Sequence, residues 1–307
     1  VKYYGHTMER ATATGLPADP PAWAAYVELL KPITWFPPMW AFGCGIVSSG
    51  TALAERWPFA IAGILLAGPL VCGTSQVVND WFDRHVDAIN EPGRPIPSGR
   101  VPGRRALYFA LAWTALSVIV ASLLGPWVLL AALVGLALAW AYSAPPLRLK
   151  ANGWWGNGAV GLCYEGLPWF TAAAAVTGAL PAPEIIMLAL LYSLGAHGIM
   201  TLNDFKAIDG DRVMGVRSLP VQLGPRTAAR LACAVMLLPQ FLVIGLLFAW
   251  QRPFAGAVVT ALAVAQAALM WRFLRDPVGR ATWYSGFGVT LYVLGMLASA
   301  IAVRGII

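Results

Sequence analysis

Charge is scarce in this chain. Only 11% of its 307 residues are Asp, Glu, Lys or Arg, where soluble domains carry about 25%. Acidic residues number 14 and histidines 3, which excludes an ordinary solvated surface. The four cysteines, Cys44, Cys72, Cys163 and Cys233, are scattered through apolar segments with no CxxC pair and no Cys/His cluster. A disulfide framework, a zinc site and an iron–sulfur centre therefore find no support, and the thiols read as small buried hydrophobes. A P-loop, a glycine-rich dinucleotide fingerprint and a Ser-His-Asp arrangement are absent too. No secretory signal pattern precedes the first long apolar run.

What the chain has is apolar length. Hydrophobic residues make up 59% of it, in runs long enough to cross a bilayer as helices of roughly 20 residues. The pattern predicts nine spans, at about 32–50, 58–81, 105–124, 127–143, 157–178, 184–204, 227–249, 254–274 and 283–303. A bilayer offers no water to satisfy open strand edges, so the expected fold is all-α. It is a polytopic membrane bundle of nine helices around a central cavity. Residues 1–27 form a polar tail with the start of an interfacial helix, from an amphipathic stretch at Trp23–Lys31, and residues 28–307 the membrane domain.

With the N-terminus inside, all of the 21 basic residues except Arg56, Arg252 and Arg304 fall on one side. That bias assigns the basic side to the cytoplasm. The net charge of +7 then reflects topology and attraction to the lipid bilayer's anionic surface, with no nucleic acid implied.

Two acidic clusters interrupt this apolar chain where spans meet cytoplasmic loops. NDWFDRHVD holds Asn79, Asp80, Asp83 and Asp87, and NDFKAIDGD holds Asn203, Asp204, Asp209 and Asp211. Carboxylates at a membrane boundary are costly unless they are paired or hold cations. Asp80, Asp83 and Asp87 recur at i, i+3 and i+7 and so share a helical face, with Asn79 four before Asp83. Asp204 and Asp211 share a face as well, which Asp209 leaves. A solvated helix end explains one such run more readily than two. Oxygen donors of this kind suit Mg²⁺, which brings substrate phosphates with it.

Basic residues flank both clusters. Arg94 and Arg100 lie in AINEPGRPIPSGR, stiffened by Pro92, Pro95 and Pro97. Tyr142, Arg148 and Lys150 lie in YSAPPLRLKANGWWGN, and Lys206 and Arg212 in the second acidic run. Arginine forks match phosphate oxygens, so diphosphate clamping competes with simple topological bias for each of them. Glu165 and His197 are polar residues in apolar spans; His197 reads as a satisfied core histidine or as part of a pocket.

NDWFDRHVDAINEPGRPIPSG resembles the signature of the UbiA-type intramembrane prenyltransferases. YSAPPLRLKANGWWGN, YEGLPW and NDFKAIDGDRVMGVRSLPVQLG narrow the resemblance to the chlorophyll synthase branch. KPITWFPPMWA and GAHGIMTLNDFKAIDGD look most similar to its bacteriochlorophyll-forming members. The similarity runs over about residues 28–304. It departs at Ala207, where many members carry an acid.

The resemblance implies esterification of bacteriochlorophyllide by geranylgeranyl or phytyl diphosphate. It implies Mg²⁺, two ions, held by Asn79, Asp80, Asp83, Asp87, Asp204 and Asp211. Asp83, Asp204, Arg94, Lys150 and Lys206 take catalytic roles, and Asn79, Asn203, Tyr142, Arg148, Arg212 and His197 line the substrates. A bacterial inner or photosynthetic membrane is the implied location, with association with pigment–protein assembly partners left open. One competing reading is a prenyltransferase of the same superfamily acting on an aromatic ring or haem. Another is a cation-coupled transporter, which the gathering of acids at one membrane face disfavours.

Overall fold

A computed structural model describes residues 22–304. The tail expected over residues 1–20 lies outside the described residues. In chain order the helices are α1 (Ala22–Leu30), α2 (Phe36–Ser48), α3 (Trp57–Leu65), α4 (Gly73–Asn90), α5 (Arg105–Leu124), α6 (Pro126–Ser143) and α7 (Gly153–Gly161). They continue as α8 (Leu167–Thr177), α9 (Pro183–Asp204), α10 (Ile208–Val213), α11 (Leu219–Leu223), α12 (Pro225–Ala249), α13 (Pro253–Phe273) and α14 (Pro277–Val303). No strand occurs among the described residues. The all-α expectation holds.

Among the described residues seven helices, against nine expected spans, are long and apolar enough to cross a membrane: Trp57–Asn90, Arg105–Leu124, Pro126–Ser143, Pro183–Asp204, Pro225–Ala249, Pro253–Phe273 and Pro277–Val303. The spans expected at 32–50 and 157–178 are assembled from shorter pieces. A 3₁₀ turn, Pro32–Trp35, leads into α2. A π-helical turn, Leu162–Gly166, joins α7 to α8. That stretch carries the buried polar residues Asn157, Glu165 and Thr171, so its apolar character is diluted. A second π-helical stretch, Leu66–Cys72, joins α3 to α4 around Pro69. Proline has no N–H to donate and crowds the preceding turn, so the helix widens there. Helix α1 runs through the boundary expected between residues 27 and 28.

Proline also sets where helices begin. Pro126, Pro183, Pro225, Pro253 and Pro277 each occupy the first helical position, where a missing N–H costs nothing and the fixed φ is already helical. Inside the bundle, small residues permit close approach. A Cβ on Gly45 of α2 would collide with the Trp169 carbonyl of α8, and one on Gly198 of α9 with the Ala232 carbonyl of α12 at 2.5 Å. Lipid tails are as apolar as side chains, so such backbone contacts supply the packing that holds membrane helices together.

We expect Gly45→Ala to lower the stability of the detergent-purified protein by about 1–3 kcal/mol, the usual cost of overpacking. The thermal unfolding temperature reads this directly. An unchanged value would mean that α2 and α8 can separate freely.

Buried side-chain bonds fasten the half of the bundle away from the acids. Gln240 of α12 donates to Gln266 of α13 at 2.6 Å, and Gln266 donates to the Gly288 carbonyl of α14 at 3.1 Å. Tyr292 of α14 donates to the Tyr192 carbonyl of α9 at 2.6 Å. This leaves α4, α6, α7 and α9 to converge around the cavities described next.

Candidate functional site

Both acidic clusters lie at helix ends: the first in the last turns of α4, the second from the end of α9 into α10. Two adjoining cavities connect them. The larger, of about 420 Å³, is walled mainly by apolar residues such as Val71, Leu138, Val160 and Met200 and carries Asn79, Asn203 and Asp204. The smaller, of about 230 Å³, is lined by Asp83, Asp87, Arg148, Lys150, Asp204 and Asp211. Tyr142, Asn157 and Asp204 belong to both. One end of the joined space is therefore charged and the other greasy.

Loop pairing builds the charged end. Arg217 donates its backbone N–H to the Ala151 carbonyl at 2.9 Å, and Gly153 donates to the Arg217 carbonyl at 2.8 Å. This two-way bridge ties the loop before α7 to the loop after α10. Asn152 caps α7, its side-chain oxygen accepting from the Trp154 N–H at 2.9 Å. Lys150, in the turn just before, donates to Asp83 Oδ2 at 2.5 Å, and Arg148 stands 3.8 Å from the other oxygen. Burial pushes the Lys150 ammonium below the usual amine range, and Asp83 beside it pulls the other way.

On the neighbouring turn, Arg94 donates to Asp87 Oδ2 at 2.9 Å and forks onto Glu91 with two contacts of 2.7 Å. At the second cluster, Asn157 donates to Asp204 Oδ2 at 3.1 Å and to Thr201 at 3.3 Å. Asn79 donates to Ser143 at 3.3 Å. Of the acids facing the cavities, Asp83, Asp87 and Asp204 are thus each met by a cation or an amide.

The structure brings together Asn79, Asp83, Asp87, Tyr142, Arg148, Lys150, Asn203, Asp204 and Asp211 around this space. Several other residues expected there lie elsewhere, Arg94 among them: it lines neither cavity and meets the cavity lining through Asp87. Asp80 shares a helical face with Asp83 but is only 3% exposed and lines neither cavity. It sits at the edge of that face and turns to Lys31 and Arg94. Lys206 is exposed and lines neither cavity. Arg212 points to the exposed Asp209 at 3.4 Å, because both sit on the outward side of the short helix α10. Arg100 pairs with Glu28 at 2.6 Å. His197 lies against the Trp154 ring, centroids 5.9 Å apart, and lines neither cavity.

Sequence reasoning passed over Asn157 and Lys31. An amide inside a glycine-rich apolar span was the available signal for Asn157. None existed for Lys31, whose partner is 49 residues away. Cys72 and Cys163, read as plain hydrophobes, form part of the larger cavity's wall.

Asp209 offers a control. With its carboxylate at the protein surface and paired only to Arg212, Asp209→Ala should change activity less than about threefold, since exposed pairs contribute little. A loss comparable to that of a cavity-facing aspartate would place Asp209 in the site.

Known proteins place the chain in a family. The UbiA prenyltransferase family matches residues 24–302. The bacteriochlorophyll synthase 33 kDa chain of Cereibacter sphaeroides is 59% identical over 290 residues, covering 94% of this chain and 96% of that one. The chloroplastic chlorophyll synthase of Oryza sativa is 38% identical over 290 residues, 91% of this chain and 77% of that one. The solved structure of a UbiA homolog from Archaeoglobus fulgidus bound to GPP and Mg²⁺ superposes with a TM-score of 0.67 at 20% identity, covering 87% of this chain and 99% of that one. The fold, the acid-lined cavity and these likenesses agree: the chain belongs to the UbiA prenyltransferase family.

Proposed function

We propose that this chain transfers a geranylgeranyl or phytyl group from its diphosphate to the propionate carboxylate of bacteriochlorophyllide, giving the bacteriochlorophyll ester. The observation that carries the reading is the meeting, at Tyr142, Asn157 and Asp204, of a charged cavity with a largely apolar one. A prenyl diphosphate has the same two-part character: an anionic head and a long hydrocarbon tail. The 59% identity to a bacteriochlorophyll synthase supports a tetrapyrrole acid as the acceptor.

The residues present suit Mg²⁺. Asn79, Asp83, Asp87, Asp204 and Asp211 line the cavities and offer the oxygen donors that this hard cation prefers. Among the described residues no group of three His, Cys, Asp or Glu side chains is placed to hold a metal. Mg²⁺ seldom needs such a cage, since it keeps waters and takes phosphate oxygens, so one or two carboxylates per ion suffice. When bound, it would neutralise the diphosphate and make it a better leaving group.

The chain's own residues do the rest. Lys150, Arg148 and Arg94 stand beside the acids, within reach of the negative charge that develops on a departing diphosphate. The apolar walls screen the allylic cation character from water. The bond between C1 and the diphosphate oxygen breaks with its electron pair leaving on the diphosphate. A carboxylate oxygen of the acceptor then gives a pair to C1. Such a carboxylate is ionised near neutral pH, so no proton has to be removed, and a dedicated general base is unnecessary.

The positive-inside bias supports a bacterial inner or intracytoplasmic membrane with the N-terminus and the charged cavity on the cytoplasmic side. The test is direct. Purified protein, Mg²⁺ and geranylgeranyl diphosphate are incubated with a panel of acceptors, and products are identified by mass. A base-labile ester of bacteriochlorophyllide is expected. A base-stable product on a ring carbon would move the chain to another acceptor, and absence of any diphosphate consumption would defeat the reading.

A further inference from the structure

Asp80 is left over by the site just described, and what surrounds it is a built arrangement. Its Oδ1 accepts from Lys31 Nζ at 2.6 Å and from Arg94 NH1 at 3.5 Å. The same NH1 donates to Asp87 Oδ2 at 2.9 Å. Asp80 and Asp87 therefore compete for one nitrogen of one arginine, and Asp87 holds it more closely. Lys31 tips that contest by satisfying Asp80 from the other side.

Lys31 is held for the purpose. It follows α1 with φ at 46°, a left-handed conformation that a non-glycine residue adopts only at a cost. Its carbonyl accepts from Thr34 N–H at 2.9 Å and from the Thr34 hydroxyl at 2.8 Å, which fixes the strained turn. A second fastening lies beside it. Arg100 forks onto Glu28 of α1 at 2.6 and 3.0 Å and donates to the Gly93 carbonyl at 2.7 Å. Helix α1 is thus tied through Glu28 to the loop that carries Arg94, and Lys31 at its end is tied to Asp80 of α4.

We propose that Lys31 and Asp80 are a positioning pair for Arg94. Lys31 neutralises Asp80, so Arg94 rests toward Asp87 and the cavity, available to the diphosphate once a cation takes over Asp87. Without Lys31, the buried Asp80 carboxylate is left with Arg94 as its one cationic partner among the described residues and draws the guanidinium away from the cavity. Charge removed from both members at once leaves Arg94 where it was. This inference rests on the diphosphate reading above and extends it to residues that do not touch substrate.

The experiment compares wild type, Lys31→Met, Lys31→Arg, Asp80→Asn and the double variant Lys31→Met/Asp80→Asn in detergent. KM for the prenyl diphosphate, KM for the acceptor, and kcat are measured at saturating Mg²⁺. Lys31→Met should raise KM for the diphosphate at least tenfold while changing acceptor KM less than threefold. Lys31→Arg should recover most of that loss. The double variant should return diphosphate KM to within about threefold of wild type.

A double variant as poor as Lys31→Met would mean that Lys31 acts on the diphosphate itself and would overturn the proposal. So would a Lys31→Met enzyme with unchanged KM. If Lys31→Met does not purify folded, Asp80→Asn against the double variant still decides. Both should show near-wild-type diphosphate KM, and a raised value in either refutes the pair. A wild-type enzyme that consumes no prenyl diphosphate would instead be the failure of the proposed function.

Discussion

Asp83→Asn and Asp204→Asn are each expected to cut prenyl transfer by about a hundredfold to ten-thousandfold, with little change in the unfolding temperature. Asp83 and Asp204 approach the charged cavity from different helices, α4 and α9. Asp204 also lies where that cavity meets the apolar one. Each factor of ten corresponds to about 1.4 kcal/mol of lost transition-state stabilisation, so the range asks each carboxylate for a few kcal/mol, as expected of a group that places a divalent cation against a leaving diphosphate.

Asparagine keeps the shape and one oxygen while removing the charge, which isolates electrostatics from packing. The loss should appear mainly in kcat, because the interaction strengthens as negative charge gathers on the leaving oxygen. Steady-state rates on folded, monodisperse protein decide the matter. A variant that stays folded and keeps more than about a third of wild-type activity removes that aspartate from the mechanism.

Chelation should abolish turnover altogether, and added Mg²⁺ should restore it. The fold should survive, and the reason lies in how the acids are compensated. Lys150 and Arg148 meet Asp83, Arg94 meets Asp87, and Asn157 meets Asp204. These partners hold the cavity wall together without a metal, so far-UV circular dichroism and the unfolding temperature should move little in excess EDTA.

A metal bound only by the native state, by contrast, would stabilise it by RT ln(1 + [L]/Kd), about 2.7 kcal/mol at a hundredfold excess over Kd. Collapse of the unfolding temperature on chelation would assign the ion a structural role. Full turnover after chelation, with metal verified absent, would end the metal-assisted mechanism. The same internal pairs carry a kinetic consequence: Lys150 and Arg94, if released from Asp83 and Asp87 by a bound cation, would be at hand for the diphosphate.

Much of the molecule was legible in the sequence because membranes restrict the choices. Backbone groups in lipid must satisfy one another within a helix, so apolar runs of sufficient length settle both element type and rough position. Seven of the expected spans return as long apolar helices. The spans at 32–50 and 157–178 were harder to read. Proline and buried polar groups break them into 3₁₀, π and α pieces, and local energetics of that kind are invisible to a hydropathy average.

Helical periodicity sets Asp80, Asp83 and Asp87 on one face of α4. Their arc is only about 60° at about 100° per residue, so what separates them is packing: a member at the edge of the arc can turn to a neighbouring element. Asp80 does so, toward Lys31 at the end of α1.

The sequence by itself determined the class of protein, the two oxygen-rich clusters, and the chemistry they suit, because composition and short spacings encode those directly. Only the tertiary structure decided which members of each cluster share a cavity. Lys150 reaches Asp83 across 67 positions and Asn157 reaches Asp204 across 47, through a backbone bridge between loops at Ala151, Gly153 and Arg217. Periodicity fixes directions within one helix, whereas the meeting of two helices depends on glycine contacts and loop pairing far apart in the chain. Lys206 and Arg212 show the difference: adjacent in sequence to the second cluster, neither lines the cavities, whereas distant Lys150 does.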